Sequence, residues 1–323
     1  MLTWIGPFEG SAAYPTINRQ LAAAVERAGH AVLRNVHNDG LCVTPLSITN
    51  TYPLHPPNVR HAVNVGLAVW EFTGPQGVPR SFAEAFQGFD LIGAPSEWVC
   101  EQFRAVTTTP VVRVQCGINP AEFFPNGPRA TLPPAAQKAE HVLLWVGGTD
   151  RRHGYDVARA VMDRLPDTYH LIAKQSAHYP PDVAEHPRVT VIRDDLVSLA
   201  PWYRAVDALL HTARGVGFSL PVLEALACGC PVASSDLPPL REYAPDERVA
   251  WAGGEWQPMG LHHIHRDCLP WWFEPDADAL AGAAQQAVRL GREIDEGWRQ
   301  TWTWDAAAGR LLKVMGINEV MHD

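Results

Sequence analysis

The chain has 323 residues, of which 46% are hydrophobic and 19% are charged. This length suits two domains of about 150 residues each, and the composition is that of a folded globular protein, which excludes a wholly disordered chain. The formal net charge of −9 disfavours a nonspecific binder of polyanions, because phosphate neutralisation needs clustered Lys and Arg.

Strand-like and helix-like apolar patterns alternate from the start of the chain. Leu2 to Ile5 predict a first buried strand, and the helical pattern that follows ends at Gly29, a residue suited to the left-handed cap position. Ser96 is a good N-cap for a later helix. Further strands are predicted over residues 30–33, 63–69, 91–94 and 111–114. This alternation is typical of a doubly wound α/β domain.

A segment rich in Pro and Ala, residues 125–138, lacks periodicity and is the best linker candidate. The alternation then resumes. Strands are predicted over residues 142–146, 169–173, 189–192, 208–211 and 231–234. Helices are predicted over residues 155–165, 199–205 and 221–227, and from residue 278 onward. The chain thus predicts a second α/β domain.

The most informative stretch runs from Gly215 to Gly229, a glycine-containing loop that opens a helix. Gly217 lets the backbone approach a ligand, and Pro221 suits the first helical position, where its missing N–H costs nothing. Helix N-terminal amides and the macrodipole favour a diphosphate. Glu224, about one turn into the helix, can accept two hydrogen bonds from a ribose diol. On physics alone, a structural turn with an exposed glutamate is an equally good interpretation.

The run GFSLPVLEALACGCPVASSDLPPLRE, which begins at Gly217, closely resembles the donor-binding signature of family 4 glycosyltransferases, E-G-F-G-L-P-x-x-E-A-x-A-x-G-x-P-V. Val146-Gly147-Gly148 and the following Arg151-Arg152-His153-Gly154 look like that family's V-G-G…R-K-G turn. Residues 18–32 and 94–125 are similar to its N-terminal motifs. The resemblance covers nearly the whole chain, and it is more specific in the second half.

The resemblance implies the GT-B fold, with two Rossmann-like, doubly wound parallel-sheet domains facing a central cleft. On this plan, residues 1–130 form the acceptor-side domain and residues 131–139 a linker. Residues 140–300 form the nucleotide-sugar-binding domain, and residues 301–323 are a C-terminal helix that crosses back to pack on the first domain.

The resemblance also implies a retaining hexosyltransferase, which moves a hexose from a UDP-, GDP- or ADP-sugar to a hydroxyl acceptor. The acceptor would be a saccharide, a lipid-linked sugar or a small molecule, and neither a metal nor a cofactor beyond the nucleotide sugar would be required. Two alternatives stay open. One is a GT-B protein that binds sugar nucleotides without transfer. The other is an enzyme acting on a hydroxylated base of viral DNA, which the acidic balance disfavours.

Carried onto this chain, the family's motifs assign roles to single residues. Arg152 would act in catalysis by neutralising the departing phosphate, and Glu224 would hold the ribose hydroxyls. The predicted donor-binding residues are Gly147, Gly148, Arg151, Arg152, His153, Lys174, Gly217, Phe218, Ser219, Leu220 and Glu224. The residues predicted to line the cleft from the first domain are Gly10, Ser11 and Arg19.

A second catalytic candidate is Glu71, which follows an apolar strand and Trp70. It would orient an acceptor hydroxyl, with a merely structural carboxylate as an equal alternative. Two positions depart from the family's pattern. Val216 replaces the first signature glutamate and cannot hydrogen-bond a ligand through its side chain. His153 replaces the lysine of the turn and is a weaker, pH-dependent cation, so we expect Arg151 to share its role.

Other patterns favour structure over chemistry. His262, His263 and His265 with Cys268 suggest zinc, but their spacing is crowded and a second ligand pair is missing, so a surface loop is predicted. The aromatic run 271–273 is predicted to pack rather than to bind sugar, and Asp207 to support the fold.

The six cysteines are spread along the chain without a Cys-x-x-Cys pair. The first residues lack the basic start and apolar stretch of a signal peptide, and no apolar run reaches the about 18 residues of a transmembrane helix. These features predict a cytoplasmic protein with buried thiols and no transmembrane segment.

Overall fold

The computed structural model describes residues 1–9, 13–35, 46–49, 54, 62–176, 186–193, 196–260 and 267–317, with the backbone alone for residues 13 and 46–49. Two predicted site residues, Gly10 and Ser11, lie outside these ranges. The chain forms two compact units. Unit 1 comprises Met1–Gly117, His263–Pro270 and Gln300–Asp323, and unit 2 comprises Ile118–His262 and Trp271–Arg299.

Unit 1 is built on a parallel sheet of six strands. Its strands are β1 (Leu2–Ile5), β2 (Val32–Arg34), β3 (Leu46–Thr49), β4 (Val63–Leu67), β6 (Leu91–Ala94) and β7 (Val111–Arg113), and β5 (Thr73–Gln76) lies outside this sheet. Its helices are α1 (Ala13–Arg27), α2 (Arg80–Phe86), α3 (Glu97–Arg104) and α10 (Trp304–Val314). The strand order is β2-β1-β3-β4-β6-β7, with every neighbouring pair parallel.

The core of unit 1 is rich in aromatic residues. Phe86 and Phe103 are fully buried and meet edge to face, with ring centroids 4.9 Å apart. Ser96 caps α3 as predicted, since its hydroxyl accepts from the amide of Val99 at 3.3 Å. The cap and the buried face of α3 therefore follow from the local sequence.

The last helix, α10, packs against α1 within unit 1. The side chains of Arg27 and Asp305 join the two helices through an ion pair of 2.6 Å. Gly117 lies against the start of α10, where a Cβ atom would come within 2.4 Å of the backbone nitrogen of Trp304. A side chain at position 117 therefore has no room.

Unit 2 contains a second parallel sheet of six strands. Its strands are β8 (His141–Gly147), β9 (Tyr169–Gln175), β10 (Val189–Ile192), β11 (Ala208–His211), β12 (Val232–Ser235) and β13 (Val249–Ala252). An antiparallel hairpin follows, formed by β14 (Gly254–Pro258) and β15 (Leu269–Pro275). The helices along this part of the chain are α4 (Tyr155–Arg164), α5 (Ala200–Ala205), α6 (Leu220–Ala227), α7 (Pro238–Arg241), α8 (Ala277–Ala287) and α9 (Glu296–Thr301).

The strand order of unit 2 is β10-β9-β8-β11-β12-β13. The first strand of the unit thus lies beside the fourth, and the chain winds outward in both directions from this pair. In open α/β sheets, ligands bind at this reversal point, beyond the carboxyl ends of the strands. Asp207 supports the pair, because its carboxylate accepts from the amide of Val142 at 2.7 Å, as the sequence predicts. Doubly wound parallel sheets are confirmed in each unit.

A buried arginine holds residues 118–130 in unit 2. The Arg204 guanidinium donates to the carbonyls of Phe124, at 2.7 Å, and Pro128, at 3.2 Å, and lies over the Phe124 ring. Gly127 lies so close that a Cβ atom there would be 2.3 Å from the guanidinium carbon. The linker at residues 131–139 and the domain limits beside it stay a prediction.

We expect Gly117→Ala to lower the free energy of unfolding by about 1–3 kcal/mol, because the added Cβ meets backbone atoms that cannot rotate away. Gly282→Ala is the matched control. Position 282 is exposed on α8 with nothing within 4 Å of the added Cβ, so the substitution should stabilise by up to about 1 kcal/mol. Thermal unfolding of both variants tests this, and equal midpoints for the two would contradict it.

Candidate functional site

Two loops of unit 2 meet beyond the carboxyl ends of β8 and β11. They comprise residues 148–154 and residues 212–219. The amide of Arg214 donates to the carbonyl of Arg152 at 2.7 Å, and the Thr212 hydroxyl donates to the carbonyl of Gly154 at 2.7 Å. Most of the predicted donor-binding residues therefore lie together at the reversal point of one sheet.

Gly154 is the residue on which this contact depends. It has a φ of +71°, in the left-handed region that favours glycine, and a Cβ atom there would be 1.9 Å from the carbonyl oxygen of Thr212. The Thr212 hydroxyl also accepts from the indole nitrogen of Trp145 at 3.0 Å. The first loop can thus turn only with glycine at this position.

Arg214, which the sequence analysis does not single out, anchors both loops. Its side chain is 2% exposed and donates to both carboxylate oxygens of Asp156, at 2.8 and 2.9 Å. It donates equally to both oxygens of Glu274 on β15, at 2.7 and 2.6 Å. Its Nη1 also donates to the carbonyl of Arg151 at 2.6 Å.

The electrostatics keep this cluster charged. Burial lowers the pKa of Arg214, but the hydrogen bonds and charges of Glu274 and Asp156 outweigh burial and raise that pKa above its ordinary value. Burial raises the pKa of Asp156, but the hydrogen bond and charge of Arg214, with the Val157 amide and the charge of Arg151, together lower it below its ordinary value. Two bidentate carboxylates around one guanidinium form a tightly specified junction.

The aromatic run 271–273 belongs to this junction. Trp272 is 3% exposed, and its ring lies 5.0 Å from the guanidinium carbon of Arg214 and 5.6 Å from that of Arg151. Burial excludes a sugar from its face, and the cation–π contacts indicate that the ring supports the two arginines. The sequence predicts that this run packs, and Trp272 does so against Arg151 and Arg214.

The turn at Arg151–His153 carries three predicted donor-binding residues. Asp150 caps it, since its Oδ1 accepts from the amide of Arg152 at 2.8 Å. The half-buried Arg152 side chain reaches the second loop, with Nη1 3.4 Å from the carbonyl oxygen of Gly215. Arg152 therefore extends along the junction of the two loops.

His153 has two neighbours for one ring nitrogen. Its Nε2 lies 3.1 Å from Nη2 of Arg152 and 3.3 Å from Oδ2 of Asp150. An unprotonated Nε2 accepts from Arg152, whereas a protonated one donates to Asp150. Burial raises the pKa of Asp150, but His153 and then Arg152 lower it to well below its ordinary value. Asp150 is therefore a carboxylate at neutral pH.

The second loop leads into α6 through Ser219, the N-cap residue. The Ser219 hydroxyl accepts from the amide of Val222 at 3.5 Å. Pro221 is consequently the second helical residue, and the prediction that it is the first is wrong by one position. Its missing N–H still falls in the first turn, where helix amides have no intrahelical partner.

The remaining predicted residues of this loop lie at the same helix entry. Phe218 stacks on the ring of Tyr243 with centroids 4.6 Å apart. The Tyr243 hydroxyl donates to the carbonyl of Ser219 at 2.9 Å. Gly217 is buried, and Leu220 begins the helix. This side of the loop is held by aromatic packing and one hydrogen bond.

A buried polar chain fixes Ser219 from below. The ring nitrogens of His211 lie 2.9 Å from the Ser234 hydroxyl and 3.3 Å from the Ser219 hydroxyl. Ser234 donates to the carbonyl of Ser235, so it accepts from Nδ1–H, and Nε2 accepts from Ser219. Burial and the charge of His153 lower the pKa of His211 to about 3. The ring is therefore neutral at pH 7.

Glu224 lies on α6, one turn beyond the N-cap, and is half-buried. The Tyr203 hydroxyl donates to its Oε2 at 3.1 Å. Burial raises the pKa of Glu224 to about 7; the hydrogen bond from Tyr203 opposes this rise, and the charge of Glu122 adds to it. The carboxyl is therefore partly ionised at neutral pH.

Gly147 and Lys174 lie at the carboxyl ends of β8 and β9. A Cβ atom at Gly147 would come within 2.8 Å of the Trp145 ring, so this loop also starts at a position closed to side chains. Gly148 is buried beside it. The Lys174 amine donates to the carbonyl of Gln175 at 3.0 Å. These residues border the two loops, and their contact with a donor stays a prediction.

Two predicted site residues are described in unit 1. The exposed Arg19 donates to the carbonyl of Phe8 at 2.6 Å, which fixes the loop after β1. Glu71 is half-buried and follows β4 and the buried Trp70. The roles given to Arg19 and Glu71 stay predictions.

Among the residues that the structure describes, no group of three or more His, Cys, Asp or Glu side chains is arranged to hold a metal ion. His262, His263 and His265 lie outside those residues, and Cys268 is buried in the core of unit 1. Within the described ranges, none of the helices has both the length and the apolar character needed to cross a membrane.

We expect Arg214→Met to lower the free energy of unfolding by about 3–5 kcal/mol, because it leaves two carboxylates without their partner. Arg164→Met is the matched control. Arg164 pairs with Asp278 at 2.7 Å, but the two side chains are 39% and 80% exposed, so its loss should cost about 0–1 kcal/mol. Urea unfolding measures both, and a small cost at position 214 would contradict the anchoring role.

Residues 140–256, which contain both loops, match the sequence model of the family described as Glycosyl transferases group 1. Over 122 residues, the chain is 34% identical to D-inositol 3-phosphate glycosyltransferase of Streptosporangium roseum, a match that covers 36% of this chain and 24% of the relative. The chain spans 24% and 41% of the length of two curated relatives that it matches.

Solved structures share the fold. Sucrose-phosphate synthase from Thermosynechococcus elongatus is 17% identical with a TM-score of 0.67, and 98% of each chain is covered. HepE from Anabaena, in complex with UDP and glucose, is 11% identical with a TM-score of 0.65, covering 98% of this chain and 99% of HepE. At such identities the likeness shows the fold alone. The predicted GT-B fold and the glycosyltransferase resemblance are therefore confirmed, the second through the match of residues 140–256 to the group 1 family model.

Proposed function

We propose that this protein is a glycosyltransferase that binds a nucleotide-diphosphate sugar on unit 2 and transfers its hexose to a hydroxyl acceptor. One observation carries the proposal. The two loops joined by Arg214 bring the Arg152 guanidinium and the N-terminus of α6 to the reversal point of one sheet. The family match over the same residues supports the assignment.

The diphosphate would lie against the entry of α6. There the backbone amides and the positive end of the helix dipole favour an anion, and the Arg152 side chain supplies a full positive charge nearby. Glu224, one turn along, would accept hydrogen bonds from the two ribose hydroxyls. These interactions support a nucleoside diphosphate as the leaving group. The base and the sugar are to be identified by experiment.

Transfer would proceed with retention of anomeric configuration. The acceptor oxygen would attack the anomeric carbon as the bond to the phosphate oxygen breaks, and the leaving phosphate would take the acceptor's proton on the same face. The developing charge would be neutralised by Arg152 and the helix tip, so no metal would be required.

We expect Glu224→Ala to weaken nucleotide binding by at least about tenfold, because two hydrogen bonds to a charged group are lost. Glu247→Ala, at an exposed site of the same unit, is the control and should bind normally. A thermal-shift screen with UDP, GDP, ADP and TDP, and with their sugars, first identifies the nucleotide, and calorimetry then measures affinity. Unchanged affinity in the Glu224 variant would remove this site from the proposal.

Arg152→Ala should lower turnover by about 10²–10³-fold while nucleotide affinity falls by less than about tenfold, because the charge it stabilises develops only as the bond breaks. Release of nucleoside diphosphate from the sugar nucleotide measures turnover. Arg164→Ala, on the exposed ion pair of α4, serves as control.

The same assay separates the alternatives. Tight nucleotide binding with no release or transfer from any sugar nucleotide would favour a binding protein without transfer activity. The buried Val216, in place of the signature glutamate, and His153, in place of the lysine of the turn, motivate this second candidate. Salt-sensitive retention on DNA would instead direct attention to a nucleic-acid acceptor.

A further inference from the structure

Tyr203 is a fully buried residue of α5 that the proposed mechanism leaves without a role. Its hydroxyl donates a hydrogen bond to Oε2 of Glu224, at 3.1 Å. The residue that would hold the ribose thus receives a hydrogen bond from the protein interior.

The position of Tyr203 is rigidly set. Its carbonyl accepts from Nη2 of Arg292 at 2.9 Å, and Nη1 of the same side chain donates to the carbonyl of Val206 at 2.8 Å. The next residue, Arg204, is itself buried and holds Phe124. A hydroxyl on such a support can fix a partner's geometry, because few of its own conformations remain open.

Glu224 needs that support. It stands on a short helix, half-buried, where loss of water disfavours the carboxylate. A ribose diol requires a charged carboxylate in one orientation, since a protonated carboxyl would offer one donor in place of an acceptor. A buried hydroxyl that donates to one oxygen stabilises both the charge and the orientation.

We propose that Tyr203 is a positioning residue for nucleotide binding, an inference that rests on the proposed function. Its buried hydroxyl keeps the Glu224 carboxylate charged and oriented for the ribose hydroxyls. It touches neither the donor nor the reacting atoms. Its effect on binding passes wholly through Glu224.

This role makes nucleotide binding depend on pH. Burial raises the pKa of Glu224 to about 7, the Tyr203 hydrogen bond acts against that rise, and the charge of Glu122 adds to it. Affinity should therefore increase as pH rises through about 7, because the carboxylate is the binding form. Removal of the hydroxyl should move this increase to higher pH.

Two cysteines and one histidine near this pair have pKa values outside this range. Burial raises the pKa of Cys228 and of Cys230 to about 12. From β11, which also packs against α6, His211 contributes a ring with a pKa of about 3. The charged groups near this pair include Glu122, Arg204, Asp207, Arg292 and Arg299.

The test is calorimetric titration with UDP between pH 5.5 and 9, or with GDP or ADP if that nucleotide gives the largest thermal shift. Tyr203→Phe should move the midpoint of the affinity increase upward by about one pH unit, since a hydrogen bond to a charged group is lost. Through the loss of charge, the variant would then bind about fivefold more weakly at pH 7, and the difference from the parent would narrow toward pH 9, where both carry the carboxylate.

Three further variants make the result specific. Glu224→Gln should remove this part of the pH dependence, leaving only the titration of the nucleotide itself. In that background Tyr203→Phe should have no further effect, whereas a packing defect would weaken binding in both backgrounds. Tyr169→Phe, a buried tyrosine at the amino end of β9, is the matched control and should follow the parent curve.

The outcomes separate this inference from the proposed function. A Tyr203→Phe curve equal to that of the parent, with weakened binding in the Glu224 variants, would overturn the inference and leave the proposed function in place. An equal loss of affinity in both backgrounds would overturn it as well. Normal binding in the Glu224 variants would count against the proposed function itself.

Discussion

The junction made by Arg214 is the interaction on which the rest of the candidate site depends. One buried guanidinium, paired with two partly exposed carboxylates, joins the loop after β11 to the loop after β8 and to the hairpin strand β15. It adds to the hydrogen bond between Thr212 and Gly154 in holding the Arg152 turn against the loop that leads to Ser219. A binding site for a diphosphate needs both, because charge from a side chain and dipole from a helix must converge on the same atoms.

Much of the fold follows from local patterns in the sequence. Apolar runs between turn residues locate the strands of both parallel sheets except β3 and β13, and Ser96 and Gly29 mark a helix start and a helix end correctly. The sequence does not predict helix α2 or strands β3 and β13, because no local period marks their apolar residues. It places Pro221 one position early, because Ser219, and not the following residue, acts as the cap.

The candidate site likewise contains residues that the sequence predicts and residues that it does not. The glycine-containing signature and the two-arginine turn can be recognised because their residues are contiguous. Arg214 could not be, since Asp156 and Glu274 lie 58 and 60 residues away. The same holds for Tyr203, whose partner is 21 residues distant. The local signal that marks Arg214 is a charged residue between a strand end and a glycine loop, as in Thr-Ala-Arg-Gly.

Gly154 carries a consequence for anyone who would redesign this protein. The loop packs against the Thr212 carbonyl at a left-handed glycine. In a library that randomises the whole turn, most variants would therefore place a side chain at position 154 and disrupt the turn. Substitutions are better made at Thr149, which is half-buried, and at Arg151, which is exposed, because they leave the contact between Gly154 and Thr212 intact. Variants with altered sugar preference are therefore to be sought at the positions beside Gly154, with Gly154 itself kept constant.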